Sequence, residues 1–128
     1  MIAQSANVAT ALAHLESVRV LDTTALAARF APDARVWLPG QGWMSVHGLA
    51  ALLDGARPLL ANGICFTHER LIDADDSVTV LTGCDSPLTN GKSYVNQFCF
   101  VFTFRADGLI SEMREYTDSA PAVAAFHS

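Results

Sequence analysis

Positive charge is scarce in this chain. Eight Lys and Arg stand against thirteen Asp and Glu, a formal net charge of −5, and no basic run occurs. Nucleic-acid binding draws on clustered cations that displace counterions from phosphates, so the balance argues against a nucleic-acid partner and equally against an anionic membrane surface. Long apolar runs are also missing, since a membrane-spanning helix needs about 18 or more consecutive apolar residues. The N-terminal stretch MIAQSANVATALAHLESVRVL has no basic leader and is broken by His14, Glu16 and Arg19. It does not read as a secretory signal, and the expectation is a cytoplasmic protein. Cysteine is sparse: Cys65, Cys84 and Cys99 are an odd number at wide spacing and form no CxxC. They read as small buried hydrophobes, with no metal site expected.

What the chain has instead is apolar material. Of its 128 residues, 51% are hydrophobic and 16% charged, enough for one core, so residues 1–128 are read as a single domain. There are no repeats, low-complexity tracts or linkers. Val8, Leu12, Leu15 and Val18 recur at helical spacing. Asp22 offers an N-cap for a second helix from Thr23 to Phe30, ended by Pro32. A short strand, Ala34 to Leu38, is followed by a glycine-rich loop, PGQGWMSVHG, and a third helix from Leu49 to Leu60 that Pro58 should bend. After Asn62-Gly63 the period changes. Strands are expected at Cys65 to Ile72, Val78 to Cys84, Ser93 to Arg105 and Leu109 to Asp118, with turns at Ala74 to Ser77 and Ala106 to Gly108. The tail APAVAAF allows a helical turn. Helices first and strands after imply an α+β fold, with three helices packed on a strongly curved, mostly antiparallel sheet.

Three strings carry a resemblance: FAPDARVWLPG (Phe30 to Gly40), DADDSVTVLTG (Asp73 to Gly83) and FVFTFRADGLISEMREYTD (Phe100 to Asp118). In this order they resemble the nuclear-transport-factor-two-like superfamily, which includes ketosteroid isomerase, the SnoaL-like polyketide cyclases and limonene-epoxide hydrolase. The resemblance implies a cone-shaped fold with a deep pocket between helices and sheet, and a homodimer through the outer sheet faces. The strand from Tyr94 agrees: Tyr94, Asn96, Phe98, Phe100, Phe102 and Phe104 share one face, and a mixed set shares the other.

Carried over residue by residue, the resemblance excludes ketosteroid-isomerase chemistry. Its general base falls on Leu38, its oxyanion acid on Phe100 and its first-helix tyrosine on His14. Leu and Phe transfer no proton. The hydrolase pattern matches better, with carboxylates at Asp85 and Glu115, but Gly83 stands where that family has an arginine. What the resemblance then implies is acid–base catalysis of the isomerase, cyclase, dehydratase or hydrolase type on a hydrophobic small molecule in an apolar pocket, with no cofactor. An apolar pocket lifts a carboxyl toward working pH, which suits proton transfer.

In the last strand Ser111, Met113, Glu115 and Thr117 share one face, while Ile110, Glu112, Arg114, Tyr116 and Asp118 share the other. The resemblance turns the Met113 face inward and makes Glu115 the leading acid or base, with Asp85 and His68 as possible partners. His14, Trp37, Trp43, Met44, Tyr94, Asn96, Phe98, Phe100 and Met113 are expected to contact substrate, and His47 to lie in a lid at the pocket mouth. The competing expectation is a non-catalytic ligand-binding or dimeric interaction domain of the same fold.

Overall fold

The computed structural model describes residues 5–127; the first four residues of the N-terminal stretch lie outside it. The elements are α1 (Ala6–Arg19), α2 (Thr23–Ala27), β1 (Phe30–Leu38), β2 (Gly42–Ser45), α3 (Val46–Ala56), β3 (Phe66–Ala74), β4 (Ser77–Pro87), β5 (Ser93–Phe104), β6 (Ile110–Thr117) and α4 (Ala120–Phe126). The α+β expectation holds. Six strands form one curved open sheet in the order β2-β1-β6-β5-β4-β3. All pairings are antiparallel except β1 with β6.

Local chemistry sets the helix starts. Ser5 Oγ accepts the Val8 N–H at 3.1 Å, Asp22 caps α2 through Ala25 at 3.1 Å, and Ser45 caps α3 through Gly48 at 3.1 Å. Two expectations about the N-terminal half need correction. The second helix stops at Ala27 and the chain is already extended at Phe30, because Phe30 pairs with Ile110 and the strand absorbs Pro32 in an irregularity before Arg35. The glycine-rich segment is not simply a loop. Gly40 and Gly42 adopt positive φ, turning the chain back so that Gly42–Ser45 pairs with β1. Helix α3 therefore begins three residues early and ends before Pro58, with no bend.

The core lies on the concave face, where the helices cover the even-numbered residues of β5 from Tyr94 to Phe104, all buried. Gly63, at φ 73°, lets the chain pass against α1, where a Cβ would collide with the Arg19 carbonyl oxygen. In β6 a bulge at Ser111 resets the alternation, so that Ile110 and Met113 are both buried. The strict period of two, which set Ile110 on the outer face, fails at that residue. Among the described residues no helix is long and apolar enough to cross a membrane.

Candidate active site

One cavity of about 180 Å³ opens between α1, α3, α4 and the concave sheet. Its walls come from the apolar stripe of α3 (Leu49, Leu52, Leu53, Ala56), from β5, from pairs of residues on α1 and β6, and from single residues of β1, β3 and α4. Only three of its lining residues are polar: His14, Tyr94 and Glu115.

Glu115 is delivered by strand parity. It pairs with Phe100 in the β5–β6 ladder, and both side chains fall on the concave face. The carboxylate makes no side-chain hydrogen bond or ion pair among the described residues. The side chain is half-buried, and it lines the cavity, so its accessible surface meets apolar walls. Desolvation there pushes the carboxyl up from 4.5 to about 7.

Tyr94 accepts a hydrogen bond at its hydroxyl from Asn96 Nδ2 at 3.1 Å, which leaves its own O–H proton to donate. Burial pushes the phenol up to about 12; the Asn96 bond opposes this and the charge of nearby Glu115 adds to it. His14 projects from α1 into the layer of aromatic rings, edge-on to Phe30 at 5.3 Å and Phe102 at 5.5 Å. Burial, with Arg29 nearby, pushes it down to about 3, so it is neutral through the physiological range. Its Nδ1 is fully buried without a hydrogen-bond partner.

The structure thus brings together His14, Tyr94, Phe98, Phe100, Met113 and Glu115 from the residues singled out in the sequence. The others lie elsewhere, each for a geometric reason. Asp85 is exposed: Asp85↔Val95 and Gly83↔Gln97 are convex-face pairs, so Asp85 cannot share a pocket with Glu115. An arginine at position 83 would face outward too. His68 is exposed on β3 ahead of a bulge, stacks on Phe66 at 6.1 Å, and has Nδ1 2.9 Å from Thr82 Oγ1. That hydroxyl donates to the Thr67 carbonyl at 3.0 Å, so Nδ1 of His68 is the donor of the pair. Partial burial lowers the His68 pKa, opposed by Glu16.

Trp37 and Trp43 face each other across β1 and β2 on the convex side, not in the pocket. There Trp37 lies 5.3 Å from the Tyr116 ring, and Arg35 and Arg114 sit over Trp43 at 4.1 and 4.9 Å. Met44 packs beneath α3 against the core without lining the cavity. His47 is not in a loop but in the first turn of α3, exposed beside a separate small cleft. Asn96 is buried, but its amide is committed to Tyr94, to the Asp118 carbonyl at 2.8 Å and to the Gln97 N–H at 2.9 Å. It orients Tyr94 from behind. The reading from sequence missed the α3 wall, Phe66 and Phe126. The i, i+3, i+4, i+7 spacing of Leu49, Leu52, Leu53 and Ala56 was the available signal for the first of these.

A SnoaL-like domain profile matches residues 11–113, most of the chain. The chain belongs to the SnoaL-like family. Its fold is shared with an NTF2-like protein of unknown function from Burkholderia pseudomallei K96243, at 20% identity and a TM-score of 0.83, covering 98% of this chain and 100% of that one. TerC, co-crystallised with polyporic acid, superposes at 21% identity and a TM-score of 0.80 over 97% of this chain and 100% of its own. A candidate SnoaL-like polyketide cyclase from Jannaschia sp. CCS1 does so at 17% identity and a TM-score of 0.79, over 100% and 99%. No curated protein matches the chain.

Proposed function

We propose that this SnoaL-like protein catalyses proton transfer on a small apolar molecule, with Glu115 as the group that takes and returns the proton. The observation that carries this reading is the unpaired Glu115 carboxyl in an apolar cavity, held near neutrality by desolvation. A base poised there is ionised enough to accept a proton and acidic enough to give it back. The other two polar groups do not titrate near neutrality, His14 lying at about 3 and Tyr94 at about 12. Such groups serve as neutral hydrogen-bonding partners for charge that develops on a substrate oxygen, not as a second acid or base. One shuttle with neutral donors favours isomerisation or enolisation over epoxide hydrolysis, for which Asp85 would have to stand beside Glu115. The polyketide-cyclase description of one fold relative and the co-crystallisation of another with polyporic acid support a small-molecule role for this cavity.

The reading is tested by NMR of α-proton exchange in a panel of single-ring ketones dissolved in D2O. Exchange should be accelerated by the protein, rise with pH through about 7, and fall by roughly 10²–10⁴-fold in Glu115→Gln. Undiminished exchange in the variant would eliminate Glu115 as the proton carrier. Binding of the ketones with no exchange would leave a passive ligand-binding protein.

We further propose that two copies pair through the convex sheet face. Leu81 pairs with Cys99 there, Cys99 with Tyr116, and Val101 lies beside Thr79 and Arg114. This half-buried apolar stripe is flanked by Val95 and Trp43, exposed at 54% and 41%. Val101→Arg should sediment as a monomer with an unchanged circular dichroism spectrum; a wild-type protein that is already monomeric at micromolar concentration would refute the pairing.

A further inference from the structure

The cavity shares a wall with a second space. Leu52, Ala56 and Phe126 line the inner cavity on one side and, on the other, an outer groove of about 460 Å³ between α3 and α4. The rest of that groove is mostly small or apolar, including Ala51, Gly55 and Ala122. Helix α4 is tied to the β5 side: Asn90 Nδ2 donates to the Ala125 carbonyl at 3.0 Å, Lys92 Nζ to the Ala124 carbonyl at 3.1 Å, and the Phe126 ring meets Tyr94 at 5.2 Å. At the seam between the two helices the residues that line both spaces, Leu52, Ala56 and Phe126, are apolar.

Size decides what the seam is for. Small-molecule sites generally have about 300–1,000 Å³, and the inner cavity, at about 180 Å³, holds little more than one ring. A ligand of ordinary size must extend out of it. The polar groups stand inside, and the groove on the other side of Phe126 is apolar apart from His127 at its edge.

We propose that the α3–α4 groove is a second subsite, and that the ligand is a single hydrogen-bonding ring or carbonyl carrying an unbranched apolar tail. The polar head lies at Glu115 and Tyr94, and the tail passes Phe126 and lies along Ala51, Gly55 and Ala122. This rests on the reading of the inner cavity as a small-molecule site, though not on its being catalytic.

Gly55 provides the test. A Cβ added there meets nothing within 4 Å, and any ordinary residue raises helix propensity over glycine. Gly55→Phe fills the groove from a folded helix and leaves the inner cavity untouched. Binding of phenol, 4-propylphenol and 4-hexylphenol is measured by calorimetry. For the wild type, affinity should rise about threefold to fourfold per methylene from propyl to hexyl. In Gly55→Phe, phenol should bind as in the wild type while the gain from propyl to hexyl disappears. Phe126→Ala, which removes the shared wall, should bring the gain on at shorter chain lengths. Parallel chain-length series in wild type and Gly55→Phe, or a wild-type plateau at propyl, would overturn the subsite; so would failure of every phenol to bind. Because only binding is read, a chain-length gain in a protein without exchange activity supports the subsite and rejects the catalytic reading alone.

Discussion

Glu115→Gln is expected to be more stable than the wild type above pH 7 and to lose most of that advantage below pH 4.5. The carboxyl's folded pKa, about 7, lies above its ordinary value of 4.5. Between those two pH values the unfolded chain has released the proton and the native protein still holds it. Stability therefore falls as pH rises through the window and is constant above it. The shift corresponds to about 3 kcal/mol, a sizeable fraction of the roughly 5–15 kcal/mol that a domain of this kind possesses. Urea denaturation of both proteins at pH 4 and pH 8 isolates the effect, since differences unrelated to ionisation cancel between the two conditions. An equal stability difference at both pH values would mean that the carboxyl is solvated and the cavity reading of Glu115 is wrong. The sign also separates two roles. A carboxylate kept for structure would make the Gln variant weaker at neutral pH, whereas a proton-transfer group is retained at a cost to stability.

Much of this arrangement was legible before any coordinates. The order of elements follows from the change of period near Asn62-Gly63, and the inward face of β5 follows from four phenylalanines at alternate positions. Glu115 could be placed only by combining parity with the resemblance, because both faces of β6 carry acids. Parity failed where a residue is inserted. Ser111 in β6 and Glu69 in β3 sit at bulges, and a bulge leaves no compositional trace at a polar position. Asp85 is instructive in another way. A motif match aligned it with a catalytic carboxylate, yet its own strand carries Cys84 and Ser86 inward, so it points out. The two tryptophans were expected to contact substrate, but Arg35 and Arg114 cover Trp43 on the convex face, a pairing between three strands that sequence spacing cannot reveal. The α4 wall depended on tertiary docking of a short tail whose local sequence is equally compatible with solvent.

His14 supplies the second large effect, of opposite sign. Its folded pKa of about 3 lies below the ordinary 6.5, so on acidification the unfolded chain takes up a proton that the native protein refuses. Stability should fall as pH drops from 6.5 toward 3, by about 2 kcal/mol between pH 6.5 and 5 alone. Over most of that window Glu115 acts in the other direction, gaining stability as pH falls from about 7 to 4.5. The wild type should accordingly be nearly flat between pH 5 and 6.5, and the single variants should expose the two limbs. In His14→Leu the large Glu115 limb remains, opposed only by the weaker acid limb of partly buried His68, and the protein becomes more stable on mild acidification. In Glu115→Gln only the His14 limb remains, and it becomes less stable. At pH 7 His14→Leu should itself be stabilised by about 1 kcal/mol, because an unpaired buried nitrogen costs roughly 1–3 kcal/mol and disappears with the ring. The same variant should exchange ketone α-protons more slowly, having lost a neutral hydrogen-bonding group at the cavity wall. A variant that is both less stable and unchanged in exchange would make His14 a packing residue. One that is more stable and slower identifies a buried polar group kept for the ligand, as its place among the lining residues of the cavity that also holds Glu115 and Tyr94 leads one to expect.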